Sequence, residues 1–176
     1  APERAGGSPL EVRMAERLAT VGRWCRRHWP WLALLLLSAV LHLWSLEARS
    51  FHHDESIHAK LSWDLANGGG YSYSPTYHGP LLYYIEAATF KILGDSDLTA
   101  RLPFALVGAA LVWVGWSLRR PFGDTAAWWV ALLFTISPTI LYFGRFLRMD
   151  ILELFTASAA FLAWLTVVRG SEQAWG

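Results

Sequence analysis

The chain has 176 residues, of which 54% are hydrophobic, and its formal charge is only +1. That composition is too apolar for an ordinary soluble domain, and the small net charge excludes nucleic acid as a partner. Eleven tryptophans and six tyrosines suit a bilayer protein, because their rings favour headgroup depth, and the single Cys25 cannot form an internal disulfide.

Residues 1–28 carry Arg4, Arg13, Arg17, Arg23, Arg26 and Arg27. They lack an apolar core and a small-residue cleavage pattern, so no cleaved signal peptide is expected, and they read as a basic cytoplasmic segment. Four apolar runs follow, at 29–46, 98–118, 126–143 and 151–168. A helix needs roughly 20 residues to cross the hydrocarbon, within about 17 to 25. The expected fold is therefore all-α and polytopic, with a membrane domain at 29–169. Residues 170–176 read as a cytoplasmic tail or a truncation point. Arg119 and Arg120 follow the second run and Arg169 the fourth, which places those connections and the N-terminus in the cytoplasm. The long loop 47–97 and the turn 144–150 are then outside, in a protein integral to the cytoplasmic membrane.

The outer loop has structure of its own. From residue 54 to 66, Ile57, Leu61 and Leu65 recur at i, i+4, i+8 as a narrow apolar stripe, and Gly68-Gly69-Gly70 stops the helix. Pro80 opens a second stretch to residue 93, interrupted by Glu86 and Lys91 and closed by Gly94. Both read as interfacial helices resting their apolar sides, Ile57-Leu61-Leu65 and Leu81-Leu82-Ile85, on the bilayer boundary or the spans.

Carboxylates mark the outer face. Asp54 and Glu55 lie just past the first apolar run, and Asp150 just past the third. Desolvating an acid at a membrane mouth is costly, so acids placed there are candidates for function. Asp54 or Glu55 can serve as a general base, and Asp54 with Asp150 can hold a hard divalent cation. The plainer alternative is that all three sit at helix N-termini, where the dipole favours acids. Arg145 and Arg148 can grip a phosphate or neutralise these carboxylates. His52, His53, His58 and His78 lack the spacing of a two-histidine zinc helix and read as hydrogen-bonded or solvated. His42, inside the first run, is read as a polar residue facing a neighbouring helix, with ligation of a pigment's metal as the other possibility.

Four segments together carry a resemblance: Phe51-His52-His53-Asp54-Glu55-Ser56-Ile57-His58-Ala59, Tyr77-His78-Gly79-Pro80-Leu81-Leu82-Tyr83-Tyr84, Arg101-Leu102-Pro103, and Arg145-Phe146-Leu147-Arg148-Met149-Asp150. The sequence from about residue 28 to 169 resembles the N-terminal module of the GT-C membrane glycosyltransferases. Within these it looks closest to glycosyltransferase family 39, the protein O-mannosyltransferase group, and to its flippase activity-associated subfamily of archaeal N-glycosylation. The resemblance implies transfer of a sugar from a polyprenyl-phosphate carrier in the bilayer to an acceptor outside the cytoplasm. It implies Asp54 as the catalytic acid with Glu55 its neighbour. It implies Asp150 as a second outer acid that helps bind a divalent metal, Mg or Mn, in metal-dependent relatives, and it makes His78, Arg145 and Arg148 substrate-binding candidates. The alternative reading is a non-catalytic transmembrane subunit that packs against other membrane subunits, in a pigment or energy-transducing assembly.

Overall fold

A computed structural model describes residues 9–73 and 79–175, and every regular element among them is a helix. In chain order these are α1 (Pro9–Leu43), α2 (His53–Ala66), α3 (Pro80–Leu93), α4 (Asp97–Ser117), α5 (Arg119–Phe122), α6 (Asp124–Ile136), α7 (Pro138–Gly144) and α8 (Asp150–Trp175). The chain divides into two units, residues 1–33 and 34–176. The first holds the N-terminal part of α1, where Arg23 Nη2 donates to Thr20 Oγ1 at 3.1 Å and Trp24 and His28 stack at 4.9 Å.

The second unit is built around α4. Ser96 caps its first turn, accepting from the Thr99 amide while the Thr99 hydroxyl accepts from the Ser96 amide. Glycines let other helices approach α4 closely. A Cβ on Gly115 would lie 2.4 Å from the Ala131 Cβ of α6, and one on Gly108 would lie 2.4 Å from the His42 ring. Leu82 and Tyr83 of α3, Ala100, Phe104, Leu111 and Val114 of α4, and Leu147, Ile151 and Leu152 form the apolar core.

Asp97–Phe122 and Asp150–Val168 are long and apolar enough to cross a membrane. The expected third span is broken: α6 and α7 meet at 59°, because Pro138 has no amide to continue the ladder beyond Ser137. The two together are long and apolar enough for a broken span or a re-entrant loop. The expected first span is not among them. Its helix ends at Leu43, and a turn through Ser45, in the left-handed region at φ 54°, follows. α1 itself is 35 residues long, so length does not exclude a crossing; Arg26, Arg27 and His28 at the start of its apolar part lower its mean hydropathy instead.

Both expected outer-loop helices form within a residue of their expected bounds, and Gly94 closes α3 at φ 85°. Their buried faces carry polar residues as well as apolar ones. The side of α2 that packs inward carries Glu55, His58 and Ser62, whereas Leu61 is 38% exposed and Ile57 and Leu65 are half-buried. On α3, Leu82 is buried, but Leu81 is half-exposed and Tyr83, Glu86 and Ala87 are inside. A polar pair also joins α2 to α3, beside the apolar packing of Ala59 and Leu65: His58 Nδ1 lies 3.1 Å from the Tyr83 hydroxyl.

Candidate active site

The segment between α1 and α2 has few backbone partners of its own, and two arginines supply them. Arg101, on α4, donates from Nη1 to the carbonyls of Leu46 and Arg49 at 2.6 and 2.8 Å and from Nη2 to Ser50 at 3.3 Å. Its Nε and Nη2 also grip Glu55, at 2.8 and 2.9 Å. Arg145 donates to the carbonyls of Leu41, Trp44 and Ser45, capping the end of α1. Both arginines therefore act as splints for residues 41–50.

Glu55 is fully buried. Besides Arg101, it accepts from the His52 amide at 3.0 Å, completing the capping box that starts α2, and from the Leu147 amide at 3.2 Å. Burial pushes its carboxyl upward, but the Arg101 guanidinium and the two amides outweigh that and hold it below its ordinary value. A carboxylate with every lone pair engaged and no route to solvent is poorly placed to take a proton from substrate. Glu55, expected beside Asp54 as catalytic, instead ties α2, residues 46–50 and the 145–149 turn together.

That tie fixes the next carboxylate. Asp54 points away from the core, 42% exposed, and its Oδ2 lies 3.4 Å from Arg148 Nη1. Arg148 Nε lies 3.1 Å from Asp150 Oδ2. These two atoms approach without the alignment of a hydrogen bond. The turn 145–149 is anchored by buried Phe146 and Leu147, so it presents Arg148 and Asp150 to α2. Asp54 and Asp150 thus each contact the one guanidinium of Arg148. Among the described residues, no three of His, Cys, Asp and Glu group closely enough to hold a metal ion. Two carboxylates already paired to a cation do not by themselves fit Mg or Mn, and no chemical step below runs through one.

The other candidates separate. Arg145 spends its guanidinium on backbone carbonyls, a correction to its expected hold on a substrate phosphate. His78 lies outside the described residues. His42 is wholly buried, with Nδ1 2.9 Å from the Ser38 carbonyl and its ring against the Cα positions of Gly108 and Gly144. Helices enclose it on every side, which leaves no room for a pigment and corrects that possibility. His52 caps α2, and His53 is exposed. Sequence reasoning missed Arg101 as the partner of Glu55. A charged residue inside an apolar span was the available signal, because such a residue must be paired.

Its helices, two of them long and apolar enough to cross a membrane, make this an all-α membrane protein. A family model described as dolichyl-phosphate-mannose-protein mannosyltransferase matches residues 77–176, more than half of the chain, and the chain belongs to that family. Arg101, Arg148 and Asp150 lie within the matched residues, and Asp54 lies before them. Neither a search of curated proteins nor one of solved structures gives a match.

Proposed function

We propose that this chain carries the outer acidic site of a transferase that moves a sugar from a polyprenyl-phosphate carrier to an extracytoplasmic hydroxyl acceptor. The observation that carries the reading is the meeting of Asp54 and Asp150, from distant parts of the chain, on Arg148. Asp54 takes the acceptor's proton as the hydroxyl oxygen attacks the anomeric carbon. The bond from that carbon to the phosphate oxygen breaks, and the carrier leaves as a phosphate whose charge Arg148 meets. Asp150 holds Arg148 in reach, and Glu55 with Arg101 holds the α2 N-terminus that carries Asp54. The family's own described chemistry, mannosyl transfer from dolichyl phosphate, supports this donor class. The likeness to the flippase activity-associated subfamily belongs to the same proposal.

Asp54→Asn tests it. In protein reconstituted with a polyprenyl-phosphate sugar, transfer should fall by about 10²–10⁴, the usual contribution of a proton-transfer group. Insertion and abundance should not change, because Asp54 is half-exposed and its only ion pair is long. Activity within a fewfold of wild type would remove Asp54 as the base. Metal dependence is a separate proposal: a divalent ion between Asp54 and Asp150 requires Arg148 displaced and substrate or water oxygens added. Transfer unchanged by a chelator would exclude it.

A further inference from the structure

Four arginines surround the site: Arg49, 3.6 Å from Glu55 and lying over the Phe146 ring, and three others that are held in very different ways. Arg101 is 1% exposed and gives its donors to three carbonyls and both Glu55 oxygens. Arg145 is fastened to three carbonyls. Arg148 is 30% exposed and its polar contacts are with two carboxylates, one at 3.4 Å and one at 3.1 Å without hydrogen-bond alignment. The Asp54 contact, 3.4 Å long and partly exposed, contributes little, whereas the Nε and Oδ2 atoms facing each other on the Asp150 side are buried. A guanidinium binds a phosphate better, because two parallel N–H groups can meet two oxygens at once. Of the three, only Arg148 is free to change partners at small cost.

Its partner at Nη1 is the oxygen that matters. While Asp54 Oδ2 lies against Nη1, an acceptor hydroxyl must compete with a cation for it. Resting on the reading of Asp54 as base and Arg148 as phosphate ligand, we propose that Arg148 is a latch on Asp54 that the donor's phosphate releases. A polyprenyl phosphate entering the site draws the guanidinium off Asp54, and Asp150, on the Nε side, keeps Arg148 from leaving the site altogether. The base then becomes available only when the donor is seated. The expected kinetic consequence is ordered binding, donor before acceptor.

A double-mutant cycle tests the latch. The probe is a short-chain polyprenyl monophosphate, and its affinity is measured for wild type, D54N, R148A and D54N/R148A in nanodiscs. The latch predicts that D54N binds severalfold more tightly than wild type, since the phosphate no longer competes with Asp54 for Arg148. It also predicts that this gain disappears when Arg148 is already absent. An equal gain in both backgrounds would mean that Asp54 merely repels the phosphate, and would overturn the latch. So would the absence of any gain, or the absence of binding in all four proteins. If R148A does not fold, R148Q takes its place, since it keeps the aliphatic stem and a polar end and loses the charge. The outcome is independent of the base assignment. A D54N protein that still transfers sugar overturns that assignment whatever the cycle gives, whereas an additive cycle with inactive D54N removes the latch alone.

Discussion

Two buried glutamates on the outer helices have opposite electrostatic fates. Glu55 is paired to Arg101 and stays ionised. Glu86, on α3, is fully buried with neither oxygen hydrogen-bonded, and desolvation raises its pKa to about 9 from 4.5. The folded protein therefore keeps a proton on Glu86 that the unfolded chain releases above pH 4.5. Stability contributed through this group is complete below that pH and is lost progressively as pH rises towards about 9. Glu86→Gln keeps the neutral shape and removes the titration. We expect the variant to melt higher than wild type at pH 8 and close to it at pH 5, in thermal unfolding in mild detergent. A Glu86→Gln variant whose melting temperature falls with pH as steeply as that of wild type would contradict the assignment. Glu55 has the reverse sign, its contribution being lost as pH falls, so the outer helices should be most stable in mildly acidic solution.

At the scale of elements, the joint between α1, α4 and α7 depends on absent side chains. Gly108 and Gly144 leave the space that the His42 ring fills, and Arg145 then reaches the end of α1 from the following turn. Gly108→Ala should cost about 1–3 kcal/mol, the usual penalty for overpacking. His42→Ala in the same chain should recover much of it, because the new methyl then has room. Chemical unfolding of the two single variants and the double checks this: full additivity would mean that the ring is not what the methyl meets. The limits of α2 and α3 were legible in the sequence because Gly68-Gly69-Gly70, Pro80 and Gly94 stop or start helices through local backbone chemistry. Which faces they bury was not, since a stripe reading assumes that apolar residues point inward. Here His58, Glu55 and Glu86 point inward as well, two of them with partners far along the chain. The break at Pro138 was visible as a residue and was read through, since an apolar run gives no sign of a bend.

At the scale of the whole molecule, the asymmetry of basic residues predicts Arg120 on the cytoplasmic side and loop 47–97 on the other. Single cysteines at exposed Ser72 and Arg120 should then label from opposite sides of sealed cells; labelling of both from one side would reverse the proposal. Helix α8 carries Phe161, Trp164 and Val167 at 45%, 57% and 70% exposure, the surface expected of a helix facing lipid tails. The pairing of Asp54 with Asp150 could be read from the sequence only by assuming that alternate apolar runs cross the membrane in opposite directions. The Arg148 between them could not, because nothing in its spacing distinguishes it from Arg145. That shared site is the central claim, and proximity tests it most directly. Asp54→Cys and Asp150→Cys, placed together in a chain whose Cys25 is replaced by serine, should be joined by a short bifunctional maleimide in membranes. The account predicts a cross-link within one chain that survives proteolysis between the two positions. Two separated fragments, each labelled but not joined, would contradict it.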